Sequence, residues 1–229
     1  MKKLLAAGLA LGALVAAQSA DAADLSVAPL YKAPPSELSQ AYNWTGFYLG
    51  LNGGGGWGNS HWQGVGGFNM SGGEVGGTAG YNLQLGKTVF GVEGDIDWSG
   101  LRGSTTNPAC AGGAGGSCST SGTWLSTVRG RIGYAFDGFL PYVTGGLAAG
   151  NIRAATPGFP GGSDTNAGWT LGGGVEVALP GNWSAKAEYL HVDLGDFNCG
   201  AACGAASENV SLHDNVFRAG VNYHFGWAK

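Results

Sequence analysis

The chain has 229 residues, of which 46 are glycine, and only 11% are charged beside an ordinary 44% of hydrophobic ones. Soluble domains carry about 25% charged residues, so this balance excludes an ordinary water-facing surface and suits strands with one face in lipid. The formal charge of −4, with no basic patch, excludes nucleic acid as a partner.

Lys2 and Lys3 precede an apolar run from Leu4 to Ala17, and Ala20-Asp21-Ala22 places small residues at the −3 and −1 positions of a cleavage site. This layout predicts a secretory signal peptide over residues 1–22, with the mature chain starting at Ala23. The apolar run is shorter than the roughly 20 residues of a membrane-spanning helix, and no later segment is long enough either. Residues 23–43, with Pro29, Pro34 and Pro35, lack periodicity and read as a flexible N-terminal arm. From Trp44 to Lys229 the character of the chain is constant, which predicts one domain over 44–229.

Within that domain, apolar and polar residues alternate in successive segments. Phe47, Leu49 and Leu51 alternate with Tyr48, Gly50 and Asn52; Val75, Ala79, Tyr81 and Leu83 follow, with Glu74, Thr78 and Asn82 between them. Phe90, Val92, Ile96 and Trp98 alternate with Glu93, Asp95 and Asp97, and Trp124, Val128, Ile132 and Tyr134 with Thr127, Arg129 and Arg131. Leu140 to Asn151 is glycine-rich and ambiguous in its facing. Trp169, Leu171, Val175 and Val177 then flank Glu176, Trp183 and Tyr189 flank Lys186 and Glu188, and Phe217, Val221, Tyr223 and Phe225 share one face opposite Arg218. Period-two alternation marks strands with two unlike faces. Tight turns at Gly86-Lys87, Asp137-Gly138 and Pro180-Gly181-Asn182 have suitable turn chemistry. They alternate with long connections near 58–72, 100–121, 153–166 and 195–212. Seven connections give eight strands, so the predicted fold class is all-β: an eight-stranded antiparallel transmembrane β-barrel with short turns on one side and long loops on the other.

The charges fall on one face: Glu74, Glu93, Asp95, Asp97, Arg129, Arg131, Glu176, Lys186, Glu188 and Arg218. An eight-stranded barrel has a lumen only wide enough for side chains, and buried charges are tolerable only when paired. The expected pairs are Glu93, Asp95 and Asp97 against Arg129 and Arg131, and Glu176 against Lys186, giving a plugged interior. Trp44, Trp57, Trp98, Trp124, Trp169, Trp183 and Trp227 lie near strand ends, where an interfacial girdle would sit. The four cysteines allow three pairings; Cys110 with Cys118 and Cys199 with Cys203 are favoured, since each pair falls within one loop.

From Trp44 to Phe225 the chain resembles the porin-family outer-membrane proteins of alphaproteobacteria, the small surface-antigen barrels. The residues that carry the resemblance are Asn43-Trp44-Thr45-Gly46-Phe47-Tyr48, Val89-Phe90-Gly91-Val92-Glu93-Gly94-Asp95, Thr127-Val128-Arg129-Gly130-Arg131-Ile132-Gly133-Tyr134, Pro141-Tyr142-Val143-Thr144-Gly145-Gly146 and Ala187-Glu188-Tyr189. The resemblance implies an OmpA-like barrel in the outer membrane with a role in envelope integrity or surface contact. The expected partners are outer-membrane lipid and lipopolysaccharide, the barrel assembly machinery, and host or envelope proteins meeting the outer loops. Phe217, Val221, Tyr223, Phe225 and Trp227 form the expected C-terminal barrel signature, although the chain runs on to Lys229 where barrel precursors usually end on an aromatic residue. The alternative function is passive diffusion of small solutes. His191, Asp193, Ser211, His213 and Asp214 are the candidates for a hydrolytic site, and the solvated-loop reading is preferred, so neither enzyme activity, nor a metal, nor any other cofactor is expected.

Overall fold

The computed structural model describes residues 42–62, 65–111, 116–198 and 209–225. The predicted signal peptide, the predicted arm apart from Tyr42 and Asn43, and Cys199, Cys203 and Trp227 lie outside these residues. The strands are β1 (Gly46–Trp62), β2 (Gly66–Leu85), β3 (Thr88–Ser99), β4 (Arg102–Thr106), β5 (Ser117–Tyr134), β6 (Phe139–Ala155), β7 (Gly162–Ala178), β8 (Trp183–Asn198) and β9 (Asn209–His224). β4 continues the line of β3 past a break at Gly100-Leu101, pairing with β2 at Ser71↔Arg102 and with β5 from Arg102↔Ser121 to Thr106↔Ser117. The ring therefore has eight staves. Every pairing is antiparallel, and β1 pairs with both β2 and β9, which closes the sheet. Closure leaves no unpaired edge, the condition a sheet must meet in hydrocarbon.

The tight turns fall where Gly, Asp and Asn permit a left-handed backbone. Gly86, Asp137, Gly181 and Asn182 have φ of 64°, 53°, 76° and 68°. Among the described residues, parts of the connections expected to be long loops are instead strand. β1 and β2 stay paired up to Trp62↔Gly66, and β4, β5, β6, β7, β8 and β9 take in much of 100–121, 153–166 and 195–212.

The reason is that the in–out pattern reverses along each stave. In the lower part, apolar residues such as Leu51, Val92, Val128 and Leu171 are exposed outward, while the charged set is buried inside. From about the level of Trp57, Trp98 and Trp169 towards the long-loop end, the interior becomes apolar: Trp62, Met70, Leu125, Ile152, Leu190, Val192 and Leu212 form one buried cluster. Asn59, His61, Arg102 and Arg153 are exposed on these same upper segments. A strand surrounded by lipid must turn apolar groups outward, and the same strand surrounded by water gains by turning them inward. Apart from β3 and β4 the staves are 16–20 residues long, whereas roughly 9–11 span a bilayer. The ten steps from Phe47 to Trp57, both exposed, rise about 25 Å at roughly 3.3 Å per residue and about 40° tilt. That matches the apolar band of an outer-membrane barrel, roughly 25 Å tall.

Trp57, Trp98, Trp169 and Trp183 are exposed as a girdle requires, and Trp124 is half-buried. Trp44 departs from the expectation. It is fully buried with Val89, Ala135 and Leu140 at the short-turn end, donating its indole N–H to the Asp137 carbonyl at 3.1 Å and its amide to Gln84 Oε1 at 2.8 Å. It precedes the first outward residue and so caps the lumen instead of facing lipid. Cys110 and Cys118 form a disulfide within the upper cluster. Phe217, Val221 and Phe225 are exposed on the outer face, and Tyr223 stacks edge-on against Trp183 and Phe225.

Candidate functional site in the barrel lumen

The middle layer of the interior holds all ten charged residues that alternation assigned to one face, each at 5% exposure or less. Barrel closure sends their side chains across the lumen to distant staves. Arg129, from β5, bonds Glu93 Oε1 on β3, Asp95 Oδ2 at 2.9 Å and Glu188 Oε2 on β8 at 2.9 Å. Arg218, from β9, reaches Asp97 at 2.6 Å, Asp95 at 2.8 Å and Glu188 at 2.9 Å. Arg131 bonds Glu176 at 2.6 Å and lies over the Tyr142 ring, with its guanidinium carbon 4.2 Å from the centroid. Lys186 donates to Glu93 Oε2 at 3.0 Å. Each arginine thus spans two or three staves, a cross-lumen strut that alternation alone does not specify.

One expected pairing differs, and one charge of the set has no partner. Glu176 and Lys186 are register partners on β7 and β8, yet Lys186 turns to Glu93 and Glu176 is held by Arg131, Ser184 and Asn222. The reach of a long side chain in a narrow lumen outweighs adjacency along the sheet. Glu74 enters no ion pair, and among the described residues neither of its carboxylate oxygens has a hydrogen-bond partner. It lies at the boundary with the apolar cluster, beside Leu101, Leu125 and Asp214. Asp214, which the sequence placed beside a loop, is equally buried and equally unpartnered. Among the described residues the lumen then holds seven carboxylates and four Arg or Lys side chains.

Alternation singled out charges, so it passed over the neutral groups that complete the network. Tyr48 donates to Glu93 at 2.8 Å and accepts from Arg131 at 3.1 Å. Tyr142 donates to Glu188, Thr127 to Asp95, and Asn222 to Glu176. Their parity on the polar face was the available signal. Glycine supplies the space: a Cβ at Gly80 would stand 2.4 Å from the Tyr48 ring, and one at Gly76 would stand 2.0 Å from Asp97 Oδ1.

Of the five hydrolytic candidates, His191, Asp193, Ser211 and His213 share the outer wall of β8 and β9, where His213 Nδ1 lies 3.5 Å from Asp193 Oδ1 and His191 contacts Asn215, whereas Asp214 points to the opposite face. Among the described residues no group of three or more His, Cys, Asp or Glu is placed to hold a metal ion. Between Glu74, Leu101, Leu125, Leu194 and Asp214 there is a cavity of about 20 Å³, too small for a substrate. Chemically, the lumen is a network of buried charges between apolar layers above and below, with five carboxylates held by the arginines and Lys186 and with Glu74 and Asp214 left unpartnered among the described residues.

The outer membrane protein beta-barrel domain family matches residues 6–225. The chain belongs to this family. It is an outer-membrane barrel, and its relatives are outer-membrane proteins of alphaproteobacteria. It is 37% identical to the 31 kDa outer-membrane immunogenic protein of Brucella melitensis, over 98% of this chain and 100% of that one. It is 32% identical to the 22 kDa outer membrane protein of Rhizobium leguminosarum bv. viciae, over 84% and 83%. Among solved structures, Neisserial surface protein A aligns over 79% of this chain and 98% of its own, at 17% identity and a TM-score of 0.45.

Proposed function

We propose that this barrel is a structural and surface-contact element of the outer membrane that carries no solute flux and catalyses no reaction. The observation that supports the reading most directly is the three-layer filling of the lumen. Trp44, Val89 and Leu140 pack at the short-turn end, the arginine struts cross the middle, and the cluster around Leu190, Val192 and Leu212 fills the upper end. An ion crossing it would have to break charge-assisted bonds in the middle layer and then enter an apolar one, each unfavourable. The upper apolar core also makes the extension above the membrane rigid, a scaffold suited to presenting loops to envelope or host surfaces.

The test is single-channel conductance of the refolded protein in a planar bilayer. The reading expects no regular openings, while reproducible stepwise openings of nanosiemens size would establish the diffusion-porin alternative instead. Heat-modifiable gel migration of the same preparation shows that silent samples contain folded barrel.

A further inference from the structure

The outer wall just above the girdle carries a feature that the filled lumen leaves unused. Arg102 on β4, Ser121 on β5 and Arg153 on β6 are register partners in one row, Arg102↔Ser121 and Ser121↔Arg153, and both arginines are exposed on the outer face. Directly paired residues on adjacent strands point to the same side. The arginines therefore flank one serine with their backbones about 10 Å apart, two strand spacings. Ser104 and Ser119, the next outward pair below the loop, and Thr123 extend the row with hydroxyls, and the pocket they line measures about 540 Å³, roomy enough for a phosphorylated sugar.

The charge placement is selective. Among the described residues the Arg and Lys side chains outside the lumen are Lys87, in a tight turn at the far end, and these two arginines. Neither arginine enters an ion pair among the described residues. The one side-chain partner seen for Arg153 is Asn151, whose Oδ1 accepts from its Nε at 3.3 Å.

Directly below the row stand the paired indoles Trp98 and Trp124, which mark the head-group level of the membrane. Below them, spread over β1, β2, β3 and β5, the lipid face has a shallow trough of about 610 Å³ floored by Gly77, Ala79, Gly94 and Ser126 and walled by Leu49 and Ile96. Packing does not require glycine there: a Cβ at Gly77 or Gly94 would meet nothing nearer than 3.8 or 3.7 Å. The inward glycines, by contrast, have lumenal side chains pressed against them. The wall thus offers two cationic forks and hydroxyls at head-group height, and a shallow apolar trough lower on the neighbouring staves.

We infer that this wall binds a phosphorylated glycolipid of the outer leaflet, with Arg102, Ser121 and Arg153 holding a phosphate and the trough below receiving an acyl chain. Two planar guanidinium groups flanking a hydroxyl suit a tetrahedral phosphate, which accepts paired charge-assisted hydrogen bonds. Because the site lies on the outer wall, it is independent of whether the lumen conducts.

Native mass spectrometry of the refolded protein in detergent micelles, titrated with bis-phosphorylated lipid A, tests the inference. Arg102→Gln and Arg153→Gln are each expected to weaken retention about tenfold, the loss of charge-assisted bonds to one anion. Gly94→Leu, which fills the trough without touching an arginine, should weaken it as well. Dephosphorylated lipid A should bind no better to the protein than to R102Q/R153Q, and His213→Gln on the opposite wall should retain lipid like the unaltered chain. Heat-modifiable migration identifies folded samples. Equal retention by R102Q/R153Q, equal binding of the dephosphorylated lipid, unchanged retention by Gly94→Leu, or displacement of lipid A by inorganic phosphate at equal concentration would each overturn the proposal.

Discussion

Replacing Arg218 by Met keeps the length of the side chain and removes its charge, so it isolates what one strut contributes. Arg218 serves three carboxylates. Asp95 and Glu188 each keep Arg129 at 2.9 Å, but Asp97 loses the one ion-pair partner it has among the described residues. The substitution also leaves seven lumenal carboxylates facing three cations in a layer sealed at both ends. Removing one partner from a buried ion pair costs about 3–5 kcal/mol, mostly because the other charge remains buried alone. We therefore expect Arg218→Met to lower unfolding stability by about 4 kcal/mol, and Asp97→Asn added to it to restore roughly half, since the neutral amide removes the stranded charge. Urea unfolding of the protein in lipid vesicles, followed by tryptophan fluorescence, measures both. A loss below about 1 kcal/mol for Arg218→Met would refute the strut account. So would simple additivity of the two substitutions, because groups that act through one contact are coupled.

Other outcomes follow from the same geometry. Glu74→Gln removes a buried, unpartnered carboxylate and should be neutral or stabilising, whereas Glu93→Gln, which weakens bonds to Arg129, Lys186 and Tyr48, should cost about 2–4 kcal/mol in the same urea titration. Gly80→Val must displace Tyr48 and should cost about 1–3 kcal/mol through overpacking; adding Tyr48→Ala should recover part of it, and no recovery would show that the clash is not with Tyr48. Arginine placed at Val128, exposed in the apolar band, should cost about 2–4 kcal/mol, while at Asn59, outward above Trp57, the cost should stay within about 1 kcal/mol; equal costs would place the membrane boundary elsewhere. Truncating both main struts as Arg129→Ala/Arg218→Ala should leave the barrel silent in a planar bilayer, because the apolar layer around Leu190 and Leu212 still closes the lumen.

How far the sequence goes is seen stave by stave. Glu93, Asp95 and Asp97 on β3, or Lys186 and Glu188 on β8, could be assigned to one face without coordinates, because a strand repeats every two residues and a sealed barrel has only two faces. The eight staves, their antiparallel order and the ten interior charges follow from that period together with the turn residues Gly86, Asp137, Gly181 and Asn182. The partners do not follow from it. Glu176 lies beside Lys186 in the sheet, yet bonds Arg131 from β5, since curvature brings β3, β5, β7, β8 and β9 within reach of one another's long side chains. Nor does alternation show where water replaces lipid around the wall. Leu212 falls within an expected loop, Asp214 among the residues read as solvated loop, and Trp44 in the expected interfacial girdle; each is interior. The sequence specifies that two faces differ. Which solvent each face meets at a given height, and which charges meet across the lumen, depend on a closed ring standing partly outside a membrane about 25 Å thick.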